Sequence, residues 1–261
     1  MEQRTDTTMH DVTNPVTTVE TAFEIIEYVA EHDDVGVSQM ATDLDRAKST
    51  VHRHLGTLVR RGYVVEDDGN YGLGLRFLDL GLTARNERPL YHEAHTKVDE
   101  LADRTGERVW CMTAENGRSI HLYGASGSQS VRTDSREGDV GYLHQHAAGK
   151  AILAYLPAEY VGDIVAQYGL SARTDDTITE TDELFERLER IRERGYAFNR
   201  GESIPGLNAV GVPITDAHGI AIGALSISGP ANRLQGAKLN AELPELLLGA
   251  VNEIEINLSY G

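Results

Sequence analysis

The most constraining feature is a twenty-residue stretch without an acidic side chain, RAKSTVHRHLGTLVRRGYVV, at residues 46–65. The whole chain carries 41 Asp and Glu against 24 Lys and Arg, so this stretch is a strong local exception. Within it Val51, Leu55, Leu58 and Val59 recur at helical spacing. The stretch is therefore predicted to form an amphipathic helix, about residues 48–61, with a basic outer face and an apolar stripe that must be buried.

The flanking residues supply the elements that bury this stripe. An apolar pattern after Thr17 or Thr18, either able to cap, predicts a first helix, and Ser38 is placed to cap a short second one. Gly62 stands where a left-handed C-terminal cap is expected. The sequence YVVEDDGNYGLG then predicts a β-hairpin. Three helices closed by a hairpin indicate a winged helix-turn-helix domain over residues 16–74.

The outer face of the third helix is the part that such folds present to the DNA major groove. A surface that meets phosphates excludes carboxylates, whereas Arg and Lys gain by displacing condensed counterions. We therefore predict binding of double-stranded DNA, and the alternative is an ordinary solvated helical face. The predicted DNA-binding residues are Lys48, Ser49, Thr50, His52, Arg53, Thr57 and Arg60.

Composition bounds the rest of the chain. A length of 261 residues favours two domains, and the formal net charge of −17 with few lysines suits a cytoplasm of high salt, where large net charge is screened. An ordinary acidic protein is the alternative interpretation. The single cysteine, Cys111, excludes an internal disulfide framework, and no leader or long apolar run is found. We expect a cytoplasmic protein that does not enter a membrane, with a flexible tail at residues 1–15.

A connector follows the winged domain. Leu75, Leu78 and Leu82, with other apolar residues beside them, continue at helical spacing until Pro89, so residues 75–88 are predicted to form a linker helix. A helix that is apolar on more than one side often packs against a second copy of itself, which indicates a homodimer. The alternative is that this helix lies on its own domain.

Residues 89–261 are predicted to form a second domain. Two hairpins lie far apart in sequence, around ENGR at 115–118 and around DAHG at 216–219. Between them come a strand candidate at QSVRTD, residues 129–134, and three helices, and a last apolar helix ends the chain. An antiparallel sheet with helices at its faces, α+β in class, is the simplest assembly.

At this point the residues resemble a known family. Residues 38–81, SQMATDLDRAKSTVHRHLGTLVRRGYVVEDDGNYGLGLRFLDLG, are similar to the DNA-binding domain of IclR transcription regulators. YLHQHAAGKAILAYLP and RERGYAFNRGESIPGLNAVGVPITDAHGIAIGALSISGPANRL resemble two signature regions of that family's effector domain. The resemblance spans residues 16–261 in colinear order.

This resemblance implies a GAF-like sensor domain that binds a small-molecule effector, in dimers or tetramers that repress or activate transcription. Carried over by position, the effector-binding residues are Ala147, Ala148, Gly149, Asn199, Ala209, Ser226 and Ser228. A helix beginning near Ala147 offers free N–H groups that could hold a carboxylate, and two serines alternating on one strand share a face. Organic acids, sugar acids and aromatic acids all remain possible.

Four further residues are candidates for the same pocket. His144, His146, Arg132 and Cys111 could tune the choice of effector. Each candidate also has a structural interpretation: the small residues at 147–149 could serve close helix packing, the serines could bond only to backbone, and a cysteine on an apolar strand is commonly a small buried hydrophobe.

Two other functions are compatible with parts of the sequence. HQH at residues 144–146, with Cys111, His121 and His218, could in principle supply a metal site or a Cys–His nucleophile. The sequence lacks close-set cysteines, an HExxH helix, a GxSxG elbow and a phosphate-binding glycine loop, so we expect no enzyme, no metal and no cofactor. The third possibility is a DNA-binding architectural factor that responds to no ligand.

Overall fold

The computed structural model describes residues 15–260, so the predicted tail at residues 1–15 lies outside the described residues except for Pro15. The chain divides into two compact units, the first ending at Ala84 and the second beginning at Arg85. Each unit has its own apolar core. The predicted α+β class is confirmed.

The first unit contains three helices and a small antiparallel sheet. Its elements are α1 (Thr17–Glu31), β1 (Val35–Gly36), α2 (Val37–Asp43), α3 (Lys48–Arg61), β2 (Val64–Asp67) and β3 (Asn70–Leu73). The three strands lie in the order β1-β3-β2. Ile25 of α1, Met40 of α2 and Leu55 of α3 are fully buried in the shared core, so the apolar stripes do pack against one another.

The helix ends in this unit differ in part from the prediction. Gly62 adopts the left-handed conformation at φ 76° and closes α3 as expected. The N-terminal caps were predicted wrongly, because α1 starts at Thr17 after an extended Val16 and has no side-chain cap. Ser38 lies inside α2, since β1 ends at Gly36 and the chain passes directly from strand to helix.

The helix α4 (Arg76–Asn86) runs across the boundary between the two units. None of its residues is buried, and the exposed fractions of Leu78, Leu80 and Leu82 are 57%, 42% and 39%. It ends two residues before the predicted limit of 88, because Pro89 starts the next helix.

The second unit is built on one antiparallel sheet of six strands. Its elements are α5 (Pro89–Thr105), β4 (Arg108–Glu115), β5 (Arg118–Ser126), β6 (Val140–Tyr142), α6 (Ala147–Ala154), α7 (Ala158–Tyr168), α8 (Thr181–Arg194), β7 (Ala197–Arg200), β8 (Leu207–Thr215), β9 (Ala221–Pro230) and α9 (Leu243–Tyr260). The strand order is β6-β5-β4-β9-β8-β7, which places the two distant hairpins side by side through β4 and β9.

The two faces of this sheet differ. One face packs on α5 and α9 around a large apolar core, whereas α6 lies against β4, β7, β8 and β9 on the other. Gly211 of β8 allows this approach, because a Cβ there would lie 2.6 Å from the carbonyl carbon of Ala147. Small residues at the start of α6 therefore bring that helix end close to the sheet.

The strand predicted at residues 129–134 is not formed. The edge of the sheet beside β5 is occupied by Val140–Tyr142 instead, with Arg118 opposite Tyr142. Val131 remains exposed, so burial gives that segment no reason to join the sheet. Residues 127–139 form an irregular connection, and two of its side chains line the cavity described below.

Candidate functional site

The outer face of α3 is a polar surface without carboxylates. Lys48, Ser49, His52, Arg53, Thr57 and Arg60 are exposed and Thr50 is half-buried. Val51, Leu55 and Leu58 form the buried side, so the seven predicted DNA-binding residues lie away from the core. The Thr57 hydroxyl donates to the carbonyl of Arg53 at 3.0 Å, which leaves its oxygen free to accept.

Several cations on this face form no ion pair with the part of the chain that the structure describes. Among residues 15–260, Lys48, Arg53 and Arg60 take part in no ion pair. Arg46, which also belongs to the acid-free stretch, differs because its guanidinium binds both oxygens of Glu24 at 2.9 and 3.1 Å. The first arginine of the stretch therefore serves the fold of the first unit, and the later cations remain available to phosphates.

The hairpin after α3 carries the opposite charge. Glu66, Asp67 and Asp68 are all exposed at its tip, and the two turn residues Asp68 and Gly69 have φ of 48° and 82°. Two successive left-handed residues fit a two-residue type I′ turn. The turn signal in the sequence thus predicts the hairpin correctly, and the exposed acidic tip contrasts with the basic face of α3.

The second unit contains a cavity of about 60 Å³ on the α6 side of the sheet. Strands β4, β5 and β9 form its floor, and its walls come from α6, from the ends of β7 and β8, and from three connecting segments at residues 127–139, 169–180 and 201–206. The lining residues are Trp110, Met112, His121, Thr133, Ser135, His146, Ala147, Arg173, Asn199, Ser203, Ile204, Leu207, Ser226 and Ser228.

Four of the seven predicted effector-binding residues line this cavity: Ala147, Asn199, Ser226 and Ser228. The sheet register explains how they meet, because Ser228 lies opposite Ala209, and Ala209 lies opposite Asn199, in one row across three strands. Ala209 thus shares the face of the cavity without lining it.

Ala148 and Gly149 do not line the cavity. At Gly149 a Cβ would lie 2.1 Å from the carbonyl oxygen of Leu143, so glycine is required for the close contact between α6 and the preceding turn. For this residue the structural interpretation explains the sequence.

Asn199 is held by backbone groups on both sides of its amide. Its Nδ2 donates to the carbonyl of Gln145 at 2.6 Å, and its Oδ1 accepts from the N–H of Glu202 at 3.1 Å. One of the two amide hydrogens remains for another partner. Asn199 therefore links two backbone segments of the cavity wall, and its second amide hydrogen can donate to a ligand.

Trp110 is the single tryptophan of the chain and forms part of the cavity floor. The Arg108 guanidinium lies 4.1 Å from its ring centroid, and the ring of His121 meets it edge-on at 4.7 Å. Gly124, opposite Trp110 on β5, leaves space for the indole, because a Cβ there would lie 2.3 Å from the ring.

The two histidines of the cavity are held neutral. Burial, assisted by the neighbouring His121 ring and Arg173 guanidinium, lowers the pKa of His146 to about 3. Burial also lowers the pKa of His121. Both rings can then donate and accept hydrogen bonds without adding charge, so Arg173 is the cation that lines the cavity among the described residues.

The other three candidate tuning residues lie elsewhere. His144 donates through Nε2 to the carbonyl of Ser171 at 3.0 Å, and Arg132 is exposed outside the cavity. Cys111 lies in the apolar core on the opposite face of the sheet, where burial raises the pKa of its thiol to about 12. Sequence reasoning missed Trp110 and Arg173, and it named His121 only for a metal site or a Cys–His nucleophile. Strand register and a long connecting segment bring these three residues together.

The Cys–His enzyme and metal interpretations find no support in residues 15–260. Cys111 and the cavity histidines face opposite sides of the sheet, and no group of three His, Cys, Asp or Glu side chains could hold a metal ion in this part of the chain. Nor does the described part contain a helix with the length and apolarity needed to span a bilayer.

A helix-turn-helix domain with a basic reading helix, followed by a sheet domain that encloses a polar cavity, defines a transcription regulator with its own sensor. Two family models match the chain: the IclR helix-turn-helix domain over residues 18–68, and the bacterial transcriptional regulator IclR C-terminal domain over residues 83–256. The protein belongs to the IclR family of transcription regulators.

Individual relatives agree with this assignment. The probable HTH-type transcriptional regulator ArcR of Halobacterium salinarum is 36% identical over 93% of this chain and 94% of its own. The crystal structure of Thermotoga maritima IclR superposes with a TM-score of 0.77 at 30% identity, covering 93% of this chain and 98% of the other. An IclR homologue from Microbacterium hydrocarbonoxydans complexed with 4-hydroxybenzoate shares the fold, with a TM-score of 0.78 at 22% identity over 94% and 100% of the two chains. These relatives are regulators, and the chain is a DNA-binding regulator rather than an enzyme.

Proposed function

We propose that the protein binds an operator in double-stranded DNA through the outer face of α3, and that a small organic or sugar acid in the cavity of the second unit changes this affinity. The observation that carries the proposal is that the chain contains both an acid-free helix, whose exposed cations form no ion pair among residues 15–260, and a separate cavity lined by polar side chains. A ligand can shift DNA binding only through its different affinities for the two states of the protein, typically a coupling of ~1–3 kcal/mol.

On the DNA side, the long side chains of α3 have different roles. Arg53 lies near the middle of the helix, where a guanidinium can bind the two acceptors of a guanine. Lys48 and Arg60 lie toward the two ends of the helix and are suited to phosphates. Ser49, Thr50, His52 and Thr57 add shorter polar contacts between them.

On the effector side, the lining favours a small acid with further polar groups. Arg173 supplies the positive charge, and Ser226 and Ser228 supply hydroxyl donors. A water molecule needs roughly 10–15 Å³ of such space, so a ligand of about four to six non-hydrogen atoms fits without rearrangement. The complex of a neighbour of the same fold with 4-hydroxybenzoate supports a carboxylate ligand, although that acid would require this cavity to widen.

The exposed leucines of α4 support a homodimer or a tetramer as the DNA-binding form. A helix with Leu78, Leu80 and Leu82 exposed leaves apolar surface that a second copy of α4 would remove from water. A dimer would also present two reading helices to two half-sites. We place this assembly in the cytoplasm, with repression as the expected outcome of operator binding.

The test is a titration of the purified full-length protein against DNA taken from upstream of its own coding region, with fluorescence anisotropy as the readout. Pyruvate, gluconate and benzoate represent the three acid classes. We expect at least one acid to raise the melting temperature and to change operator affinity by about tenfold. DNA binding that no acid alters, with no thermal shift for any acid, would favour a ligand-independent architectural factor.

A further inference from the structure

The wall of the cavity includes a short strap, residues 201–206, that joins β7 to β8. Ser203 and Ile204 of this strap line the cavity. Gly201 and Gly206 stand at its two ends with φ of 81° and 77°, a conformation that glycine adopts readily. The strap is thus a short segment whose two end residues have a left-handed backbone conformation and whose middle residues line the cavity.

Glu202 anchors this strap to the protein interior. Its carboxylate forms an ion pair with Lys150 Nζ, and the exposed fractions of the two side chains are 6% and 0%. Lys150 lies in the middle of α6, the helix that begins at the cavity with Ala147. A residue of the strap is therefore tied to the same helix that forms another cavity wall.

Further hydrogen bonds converge on the same point. Thr177 Oγ1 donates to the carbonyl of Glu202 at 2.6 Å, and Thr174 Oγ1 donates to the carbonyl of Gly201 at 2.8 Å. The N–H of Glu202 donates to Asn199, as described above. These side-chain anchors hold the first two residues of the strap, directly before Ser203 and Ile204.

A buried ion pair is a costly way to gain stability alone. Apolar side chains of similar volume often stabilise a fold as well as a buried pair does, whereas removing one partner leaves an uncompensated charge. The same domain offers a comparison: the fully buried Glu107 is bound by Arg233 and Lys238, and none of these three residues lines the cavity. The two buried carboxylates differ in that only one of them lies in the strap.

We propose that Glu202 is a positioning residue, which through its pair with Lys150 holds Ser203 and Ile204 in place and keeps the sensor cavity closed. The pair would then govern how readily a small molecule enters and leaves. This second statement rests on the proposed effector function, whereas the closure itself does not require a known effector.

Acrylamide quenching of Trp110 fluorescence tests the closure. Trp110 is the single tryptophan, is 5% exposed and lies in the cavity floor, and acrylamide is small and neutral. We expect Glu202→Gln, which keeps the shape of the side chain, to raise the quenching constant of the full-length protein about threefold or more by populating an open strap. The matched variant Glu107→Gln should lower the melting temperature similarly and leave quenching unchanged.

Two outcomes would overturn the proposal. An unchanged quenching constant in Glu202→Gln would show that the pair does not hold the strap, and equal increases in both variants would indicate general loosening of the domain. If Glu202→Gln does not fold, hydrogen exchange on the wild-type protein decides the question: strap amides that exchange as fast as a free peptide contradict closure, and slow exchange supports it. A metabolite screen without hits would count against the effector proposal and leave the quenching result standing.

Discussion

Under the proposed function, single side chains decide whether α3 recognises base sequence or only contacts phosphates. Arg53 is exposed and takes part in no ion pair among the described residues, whereas Arg46, in the same acid-free stretch, is bound to Glu24. Position in the fold, rather than residue type, separates these two arginines.

We expect Arg53→Ala to cost about 1–3 kcal/mol in operator affinity and much less on random DNA, because a bidentate contact to guanine is lost. Anisotropy titrations on both DNAs measure the difference. Arg46→Ala is the control, since losing its bond to Glu24 should lower stability more than affinity. Equal losses on operator and random DNA for Arg53→Ala would assign it to phosphate.

Gly124 is expected to control the cavity floor. In Gly124→Ala the new methyl group would overlap the Trp110 ring, so we predict a loss of about 1–3 kcal/mol in the free energy of unfolding and a shifted tryptophan emission. Gly162→Ala in α7 has nothing within 4 Å and should raise the free energy of unfolding by about 0.5–1 kcal/mol without changing the emission. An unshifted spectrum in Gly124→Ala would contradict the described indole position.

His146 gives the stability a predictable dependence on pH. Burial lowers its pKa from 6.5 to about 3. At a pH between these two values, the imidazole is therefore protonated in the unfolded chain and neutral in the native protein. The free energy of unfolding should therefore fall as the pH drops below 6.5, and His146→Gln should flatten this part of the curve. Urea unfolding at about pH 8 and about pH 5 measures the effect. An identical pH dependence in the variant would show that the imidazole is not held neutral.

At the scale of elements, the sequence was sufficient wherever periodicity and a local cap act together. The predicted bounds of α3 and its left-handed Gly62 agree with the structure because the apolar spacing and the cap need no distant partner. The prediction of a strand at residues 129–134 was wrong. Pairing with β5 at the sheet edge decides which segment becomes a strand, and residues 140–142 make that pairing instead. Trp110 and Arg173 were missed for the same reason: their meeting depends on register and on long connections.

The helix α4 carries the assembly prediction. Leu78 and Leu82 lie one turn apart on the same face, both exposed, so two glutamates at these positions would place charge in a helix pair. If two copies of α4 pair as proposed, Leu78→Glu with Leu82→Glu should convert the dimer to monomers in sedimentation velocity. Leu248→Glu on α9, which is 40% exposed, should change the association state less. A double variant that stays dimeric would place the interface elsewhere.

At the scale of the whole molecule, the local charge of α3 is opposite in sign to the net charge of the chain. The chain has a formal charge of −17, yet α3 exposes cations that form no ion pair within residues 15–260, and the hairpin that follows it has an acidic tip. Cations and carboxylates that approach the same DNA oppose each other, so the protein should respond to salt less steeply than its cations alone would suggest.

Neutralising the hairpin tip tests this compensation. In the variant Glu66→Gln, Asp67→Asn and Asp68→Asn, we expect tighter DNA binding at about 0.2 M KCl and convergence with the wild type near about 2 M, because screening removes the repulsion. A matched variant neutralises the exposed Glu186, Glu189 and Glu193 of α8 and should leave the salt slope unchanged. Equal slopes for all three proteins would mean that the hairpin tip stays far from the phosphates.

Because Cys111 is buried, introduced cysteines can be labelled selectively to follow changes in the distance between the two units. With its thiol sealed in the core and protonated at neutral pH, the native chain offers maleimide reagents no reactive sulfur among its described residues. Two cysteines introduced on exposed positions, one in each unit, would then accept a spin-label or dye pair without background labelling. Distances between the labels, followed as acids and DNA are added, would report how a signal passes from sensor to reader.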